Sequence, residues 1–388
     1  MSRFESLLVS LEEASRSQLL AGAIMADKLN QCSLDNLALV RSLGLMGAAV
    51  PNDRGGLGLE IEQLASIASV IGKGCLSTAL IWSMHTQQVN VLAHSRSRCA
   101  AHALEQVVEQ GRLVASVTSE AGKGGDIFRA LAPIGAQAEG RVSVARTAPT
   151  VSYGLQSHYY LVTMRADEHA PETDVRFVLV SREDGDIEST GEWNAMGVRG
   201  TQSIPMAFNV VVNVEHVLPE NFRSVALRHF VPCGQILWAA SWLGAAQGLF
   251  ERMLEQVAEN KHVLSVKLKS DLYVSRVAEL KTRLLAIEGF IGHTVALYKK
   301  CLSDSIDGVD ADLIVRVNAL KVYVSEQVVV IVDNILELSG LARGYCVEPS
   351  LGVERLYRDL LSAKLMYSND SLRRSIGIHA IKAFVNNH

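Results

Sequence analysis

The sequence has little excess charge of either sign. It contains 37 lysines and arginines and 41 aspartates and glutamates, which give a formal net charge of -4. Basic residues are scattered and form no stripe interleaved with aromatics, so we expect no nucleic-acid partner. Long apolar runs are also missing, since none approaches the roughly 20 residues that span a bilayer. The early acidic residues Glu5, Glu12 and Glu13 do not follow the basic-then-apolar order of a signal peptide. We therefore expect a soluble, cytoplasmic protein without a membrane partner.

Cysteine pairs of the kind that hold metals or form redox motifs are absent too. None of the 6 cysteines forms C-x-x-C or stands beside a histidine at metal-ligand spacing, which argues against a metal site and favours reduced, mostly buried thiols. Hydrophobic residues, in contrast, make up 48% of the chain and charged residues only 20%, so a large core is expected. A chain of 388 residues exceeds what one core usually serves, and we expect about two or three cooperating units.

The hydrophobic period divides the chain into three regions. Residues 1–112 are predicted to form an N-terminal helical domain; Ser33 can cap one of its helices and Gly44 can end it. Residues 113–223 are predicted to form a middle β domain, because β-rich runs such as 159–163 and 175–180 are separated by Gly and Asp clusters. Residues 224–388 return to the helical period and are predicted to form a C-terminal helical bundle.

The long amphipathic segments of the last region favour self-association. Helices are predicted over 271–299, 310–338 and 353–383. The second is apolar over most of its circumference and cannot direct all its valines and isoleucines into one seam. The residues concerned are Val322, Val328, Val329, Val330, Ile331, Val332, Ile335 and Leu338. We therefore expect a homodimer or a homotetramer.

Four short segments carry a family resemblance. They are the proline- and glycine-rich turn Pro51 to Leu59, the loop Ser119 to Asp126 (SEAGKGGD), the stretch Trp193 to Thr201 (WNAMGVRGT), and Gly344-Tyr345 followed by Arg355 to Asp359 (RLYRD). In this order and spacing they resemble the acyl-CoA dehydrogenase superfamily, which contains flavoprotein dehydrogenases and related flavin-dependent monooxygenases. The resemblance covers roughly residues 10 to 380. It implies an α+β fold with an N-terminal helical domain, a middle β-barrel-like domain and a C-terminal four-helix bundle.

The resemblance also implies a flavin, FAD or alternatively FMN, and places its ring contacts. A flavin ring needs polar partners at its pyrimidine edge and apolar walls that exclude water. Ser119 and Ser152 stand where the family has threonines that supply such contacts, although both could be ordinary loop and strand-end serines. Thr150 replaces the tryptophan that usually covers the ring, which would leave one face more open.

Residues that contact the phosphate end of the cofactor in the family are largely replaced in this sequence. The family's Arg-x-x-Phe-Gly segment reads Asn260 to Leu264 here, with Lys261 as a partial substitute. The Gln-x-x-Gly-Gly segment, which the family supplies from a neighbouring subunit, reads Glu337 to Leu341, so Glu337 and Gly340 are the matching candidates. Loss of an arginine–phosphate contact costs on the order of 1.5–3 kcal/mol, so we expect a loosely held flavin.

The family's catalytic carboxylate is missing at both of its known locations. One location corresponds to Tyr367, in a segment that also offers Asn369 as a cofactor contact, and the other corresponds to Gly234. A tyrosine with its ordinary pKa of about 10 is a weak base at neutral pH. The superfamily's two-component monooxygenases carry a histidine near this position. The nearest suggestive histidine here is His85, although a lone histidine on a helix is more often structural.

Three functions remain open. The first is a flavin-dependent oxidoreductase acting on an acyl or carrier-bound thioester, favoured because 193–219 and 355–359 resemble that branch well. The second is a two-component, reduced-flavin-dependent monooxygenase that hydroxylates carbon or nitrogen in a specialised pathway. The third is a non-redox acyl-binding scaffold. The implied partners are a small-molecule or carrier-bound acyl substrate and, for the redox functions, a flavin reductase or an electron-transfer flavoprotein.

Overall fold

Helices occupy both ends of the chain and strands its middle in the computed structural model, which describes residues 2–304, 311–347 and 350–386. The predicted helix start at Asp310 lies outside the described residues. The N-terminal helices are α1 (Arg3–Ala14), α2 (Leu20–Leu29), α3 (Leu34–Ser42), α4 (Ile61–Gly74), α5 (Leu76–Ala93) and α6 (Arg98–Gln110). The Ser33 side chain caps α3 by accepting from the amide of Asn36, and Gly44 follows the helix with φ 71°, as the sequence predicted.

Seven strands form the middle of the described chain. They are β1 (Val114–Val117), β2 (Ile134–Ala136), β3 (Arg141–Val151), β4 (Tyr159–Arg165), β5 (Val175–Ser181), β6 (Gly185–Ser189) and β7 (Ile204–Asn213). One sheet has the order β1-β4-β5, with β1 and β4 parallel, and the other has the antiparallel order β2-β3-β7-β6. The strand-rich middle is confirmed, but among the described residues the two sheets stay separate and do not close into a barrel.

The C-terminal region is helical again. It contains α7 (Phe222–Val225), α8 (Val231–Ala258), α9 (Lys261–Leu268), α10 (Asp271–Ser303), α11 (Ala311–Gly340), α12 (Val353–Leu361) and α13 (Asn369–Asn386). Helix α8 is buried over most of its length because α4 and α5 cover one side and α11 covers another. Small residues permit this approach: a Cβ added at Gly244 would lie 2.0 Å from the carbonyl oxygen of Ser69 in α4.

Much of the valine-rich part of α11 is covered within the chain itself. Val328, Ile331, Val332 and Ile335 are fully buried, whereas Val330 is 36% exposed. Helix α11 therefore shares one core with α8, and its apolar character alone does not require a second subunit. None of the described helices is long and apolar enough to cross a membrane.

Candidate functional site

Two of the recognised motifs meet in space and join the three regions of the chain. The Asp359 carboxylate, on α12, accepts a 2.5 Å hydrogen bond from the backbone amide of Val198. The neighbouring Arg358 guanidinium donates to both carboxylate oxygens of Asp27, at 2.9 and 2.6 Å. A Cβ at Gly197 would lie 2.2 Å from the carbonyl oxygen of Arg358, so only glycine fits there. The WNAMGVRGT and RLYRD segments thus build the joint that fixes the domains around the candidate site.

The predicted ring-contact residues Ser119 and Thr150 are neighbours. Ser119 follows β1 and Thr150 lies near the end of β3. The Ser119 hydroxyl donates to the carbonyl oxygen of Thr150 at 2.7 Å and accepts from its amide at 3.2 Å. The Thr150 side chain itself is exposed, while Ser119 is half-buried. The pair leaves a hydroxyl of Thr150 and one lone pair of Ser119 available to a ligand.

Ser152 connects this strand end to the domain joint. Its hydroxyl lies 2.8 Å from that of Ser203, which in turn lies 2.8 Å from the hydroxyl of Thr201. Thr201 donates to the carbonyl oxygen of Val198 at 2.9 Å. A continuous chain of hydroxyl groups therefore runs from Ser152 to the segment that Asp359 holds.

Tyr367 lies against the same region from the C-terminal side. It stands between α12 and α13 with φ 50°, and its ring stacks on that of Trp238 in α8 at 5.4 Å and an interplanar angle of 19°. Its phenol hydrogen-bonds the side chain of Thr118, the residue directly before Ser119. Burial raises the pKa of Tyr367 to about 12, so the phenol stays protonated at neutral pH. The structure therefore places Tyr367 against the residue next to Ser119, which pairs with Thr150.

Sequence reasoning missed Thr118 and Trp238. The signal for Trp238 was its place one helical turn after Gly234, the second of the two positions considered for the base. The indole N–H groups of Trp238 and Trp242 are buried without a hydrogen-bond partner among the described residues. Hydroxyl groups on one side and the aromatic pair of Trp238 and Tyr367 on the other are a combination that fits a flavin ring.

Gly234 lies against the side-chain amide of Gln87. A Cβ at this position would lie 2.1 Å from the Nε2 atom of Gln87. That amide is held in place because it donates to the carbonyl oxygen of Phe230 at 2.8 Å. No acidic side chain can enter here unless Gln87 moves.

His85 is occupied by the backbone on both sides. It is fully buried in α5; its Nε2 lies 3.0 Å from the carbonyl oxygen of Met46, and its Nδ1 accepts from the amide of Val114 at 3.1 Å. Since an amide can only donate, Nε2 carries the proton of the neutral ring. Burial lowers the pKa of His85 to about 4. These bonds favour a structural role that ties α5 to β1 over the catalytic role raised by the sequence.

Asn369 and the phosphate-end candidates have other contacts. The Asn369 Oδ1 atom accepts a 2.7 Å hydrogen bond from Lys321, and its amide donates to the Ser325 hydroxyl at 3.1 Å, so it braces the turn instead of facing a ligand. Glu337 forms an ion pair with Arg276.

The remaining two phosphate-end candidates lie at helix ends. Lys261 begins α9 and is exposed, and Gly340 ends α11 with φ 72°. No hydrogen bond or ion pair among the described residues links Lys261 or Glu337 to the Ser119–Thr150 pair. Their contribution to a cofactor in a neighbouring subunit stays a prediction.

Comparison with known families decides the class of this site. The acyl-CoA dehydrogenase N-terminal domain matches residues 16–108, and the acyl-CoA dehydrogenase C-terminal domain matches residues 227–377. The chain belongs to the acyl-CoA dehydrogenase family. Membership in this family makes it a flavin-dependent oxidoreductase, and the helical, strand, helical fold expected from the sequence is confirmed.

Similar proteins come from both branches of the family. Cyclohexane-1-carbonyl-CoA dehydrogenase of Geobacter metallireducens is 23% identical over 95% of this chain and 94% of its own. Amino sugar nitrososynthase DnmZ of Streptomyces peucetius is 24% identical over 84% of this chain and 81% of its own.

Two solved structures superpose closely on this chain. KijD3 in complex with FMN and a dTDP-amino-keto sugar superposes with a TM-score of 0.86 at 18% identity, covering 98% of this chain and 95% of that one. Butyryl-CoA dehydrogenase from Megasphaera elsdenii superposes with a TM-score of 0.85 at 16% identity, covering 98% and 99%. Likeness of this degree establishes the fold and leaves the reaction to be argued from the site.

Proposed function

We propose that this member of the family is a monooxygenase that uses reduced flavin supplied by a separate reductase. The observation that carries the proposal is Tyr367. Its place in the sequence corresponds to the position from which a dehydrogenase of this family would remove a substrate proton, and its ring is held against Trp238 and Thr118.

A general base needs a pKa near the working pH to be effective. The pKa of Tyr367 is raised to about 12 by burial, which moves the phenol further from this range than an ordinary tyrosine. The alternative position, Gly234, is filled by the side chain of Gln87. Oxygen transfer from a reduced flavin needs no carboxylate at either place, so the site suits oxygenation better than dehydrogenation.

A second candidate is oxidation of an acyl or carrier-bound thioester, with an electron-transfer flavoprotein as electron acceptor. It is favoured by the similarity to the cyclohexane-1-carbonyl-CoA dehydrogenase, which extends over 95% of this chain. In this case a base other than Tyr367 would be required.

The proposed cofactor is FAD, with FMN as the alternative, bound mainly through its ring. Ser119, Thr150 and Ser152 offer hydroxyl groups, and Trp238 with Tyr367 offers an aromatic wall. When bound as the reduced form, the flavin would supply two electrons and the site of oxygen activation. The chain's own part is to orient the ring and to exclude water from one side of it.

The proposed assembly is a homodimer or a homotetramer. Helix α10 exposes large apolar side chains, with Leu272 73% and Leu285 52% exposed. Association through this helix would cover these side chains and would bring Glu337 and Gly340 of a second copy within reach of the cofactor's phosphate end.

Anaerobic reduction of the protein with excess bound flavin, followed by mixing with oxygen in a stopped-flow absorbance experiment, tests the proposal. We expect an oxygen-dependent species whose spectrum differs from both reduced and oxidised flavin and which outlives the reoxidation of free reduced flavin. Direct reoxidation at the free-flavin rate, together with bleaching of bound oxidised flavin by acyl thioesters, would instead establish the dehydrogenase.

Matched variants at Tyr367 sharpen the result. Tyr367→Phe keeps the ring that stacks on Trp238 and removes only the hydroxyl. We expect this variant to keep the oxygen-dependent species and its yield within about threefold, whereas loss of a true general base would lower turnover by about 10²–10⁴. Tyr367→Glu supplies a carboxylate at the same place, and reduction of its flavin by an acyl-CoA would indicate that the dehydrogenase lacked only its base.

A further inference from the structure

A buried lysine lies directly behind Tyr367. Lys321, in the middle of α11, is 0% exposed. Its ammonium group donates a 2.7 Å hydrogen bond to the carbonyl oxygen of Tyr367 and another of 2.7 Å to the Oδ1 atom of Asn369. These two residues lie on either side of Ser368, so a single side chain forms hydrogen bonds with both ends of the turn that leads into α13.

The surroundings of the Lys321 ammonium group indicate a specific role for it beyond packing in the core. It makes no ion pair among the described residues, since the acidic residue that acts on it, Glu326, is paired with Arg373. Its nitrogen lies 6.0 Å from the centre of the Trp242 ring. Burial lowers the pKa of Lys321 to about 7. Burying an apolar side chain here would cost less free energy than burying an ammonium group. The specific contribution of lysine is therefore its two hydrogen bonds to the turn.

The turn needs this support because its backbone is unfavourable. Tyr367 has φ 50°, a left-handed conformation that a bulky residue rarely adopts and that persists only when its surroundings enforce it. From one side, Lys321 holds its carbonyl oxygen; from the other, Trp238 stacks on its ring. Trp238 and Trp242 stand one turn apart on α8, so the same helix presents one ring to Tyr367 and the other to Lys321.

We propose that Lys321 is a positioning residue that fixes the Tyr367 ring against Trp238 and thereby sets the wall of the flavin site on the substrate side. The statement that this wall faces substrate rests on the proposed function. The positioning itself does not, because it concerns only contacts within the chain.

The test isolates the spectroscopic signal of the stacked pair. Near-ultraviolet circular dichroism is recorded for the full-length protein and for its Trp238→Phe variant, and the difference between them reports the Trp238 ring in its environment. The same pair of spectra is recorded in a Lys321→Met background. We expect the difference spectrum to lose at least half of its amplitude in that background while far-ultraviolet spectra remain equal. An unchanged difference spectrum in folded Lys321→Met would overturn the proposal.

Two further variants keep the result decisive. Ser325→Ala removes a bond to Asn369 but leaves the contact between Lys321 and the Tyr367 carbonyl, so it should preserve the signal. If Lys321→Met does not fold, Lys321→Gln takes its place, since its side chain stays polar but is one atom shorter and cannot keep both 2.7 Å bonds, to the Tyr367 carbonyl and to Asn369. An intermediate loss of amplitude supports the proposal, and full retention refutes it.

Activity then separates this inference from the proposed function. If oxygenation is observed, Lys321→Met should raise KM for substrate at least as much as it lowers kcat, because the wall and not the chemistry is disturbed. If oxygenation is never observed, the proposed function fails, while the spectra still decide whether Lys321 positions Tyr367.

Discussion

The backbone amide of Val198 donates to the carboxylate of Asp359 at 2.5 Å across 161 residues of sequence. Asp359 is only 4% exposed, and the nearest guanidinium, that of Arg355, is 4.0 Å away. This contact explains why two motifs far apart in the chain occur together. The WNAMGVRGT segment supplies a backbone amide on a tight loop, and the RLYRD segment supplies the buried carboxylate that accepts its hydrogen bond.

Asp359→Asn should change how stability depends on pH. Burial raises the pKa of Asp359 from 3.8 to about 6. Because the folded state then holds the proton more tightly than the unfolded state, its contribution to stability is fully present below about pH 3.8 and is lost as pH rises through about 6. Asparagine keeps an acceptor and removes the titration. In urea unfolding between about pH 4 and 7, the free energy of unfolding of the wild type should therefore fall relative to that of Asp359→Asn by up to about 3 kcal/mol as pH rises.

Asp370→Asn serves as the control for that comparison, since its side chain is 91% exposed. It should follow the wild-type curve. Parallel curves for the wild type and Asp359→Asn would contradict the pKa assigned to Asp359.

Gly244→Ala should destabilise the crossing of α4 and α8. Its Cβ would lie 2.0 Å from a backbone oxygen of Ser69, which cannot move without shifting a whole helix. We expect the free energy of unfolding to fall by about 2–3 kcal/mol. The matched control is Gly377→Ala in α13, where nothing lies within 4 Å. There alanine should raise the free energy of unfolding by about 0.5–1 kcal/mol through helix propensity alone, so the two variants should differ in sign.

Flavin should bind, but loosely enough to be lost on gel filtration. The Ser119–Thr150 pair offers candidate ring contacts, whereas Lys261 is the only basic candidate that the sequence offers at the phosphate end. Ser119→Ala removes one hydroxyl and frees the Thr150 loop, so calorimetry should show an affinity about three- to tenfold weaker. Ser17→Ala, an exposed serine of the N-terminal helices, should bind flavin as the wild type does. Absence of heat with oxidised and reduced flavin alike would remove the cofactor from every argument made above.

Light scattering should return a multiple of the chain mass. A monomer would give about 42.1 kDa, and a homodimer or homotetramer is expected because α10 leaves Leu272 and Leu285 exposed. Replacing both leucines with glutamate should lower the mass towards the monomer and weaken flavin binding, if a second copy completes the cofactor site. A monomeric wild type at micromolar concentration would contradict both expectations.

The residues of the candidate site differ in how far the sequence could predict them. Ser119, Thr150 and Tyr367 could be proposed because loop motifs and chain spacing indicate where strands and helices end. Lys321 could not, because a lysine between apolar residues on a long helix has the pattern of an exposed charge. Only the fold shows that the turn before α13 packs over it. His85 had suitable chemistry, but the two backbone groups that occupy its nitrogens come from segments distant in the sequence.

The contact between Gln87 and Gly234 also constrains how this site could change by mutation. A carboxylate at position 234 requires the amide of Gln87 to move, because that amide fills the space that the new Cβ would need. Moving the amide sacrifices its hydrogen bond to the Phe230 carbonyl. Shortening residue 87 would make the same room, but by itself it leaves a cavity between α5 and α8 and no new base. At position 367, in contrast, a single substitution places a carboxylate on an existing turn.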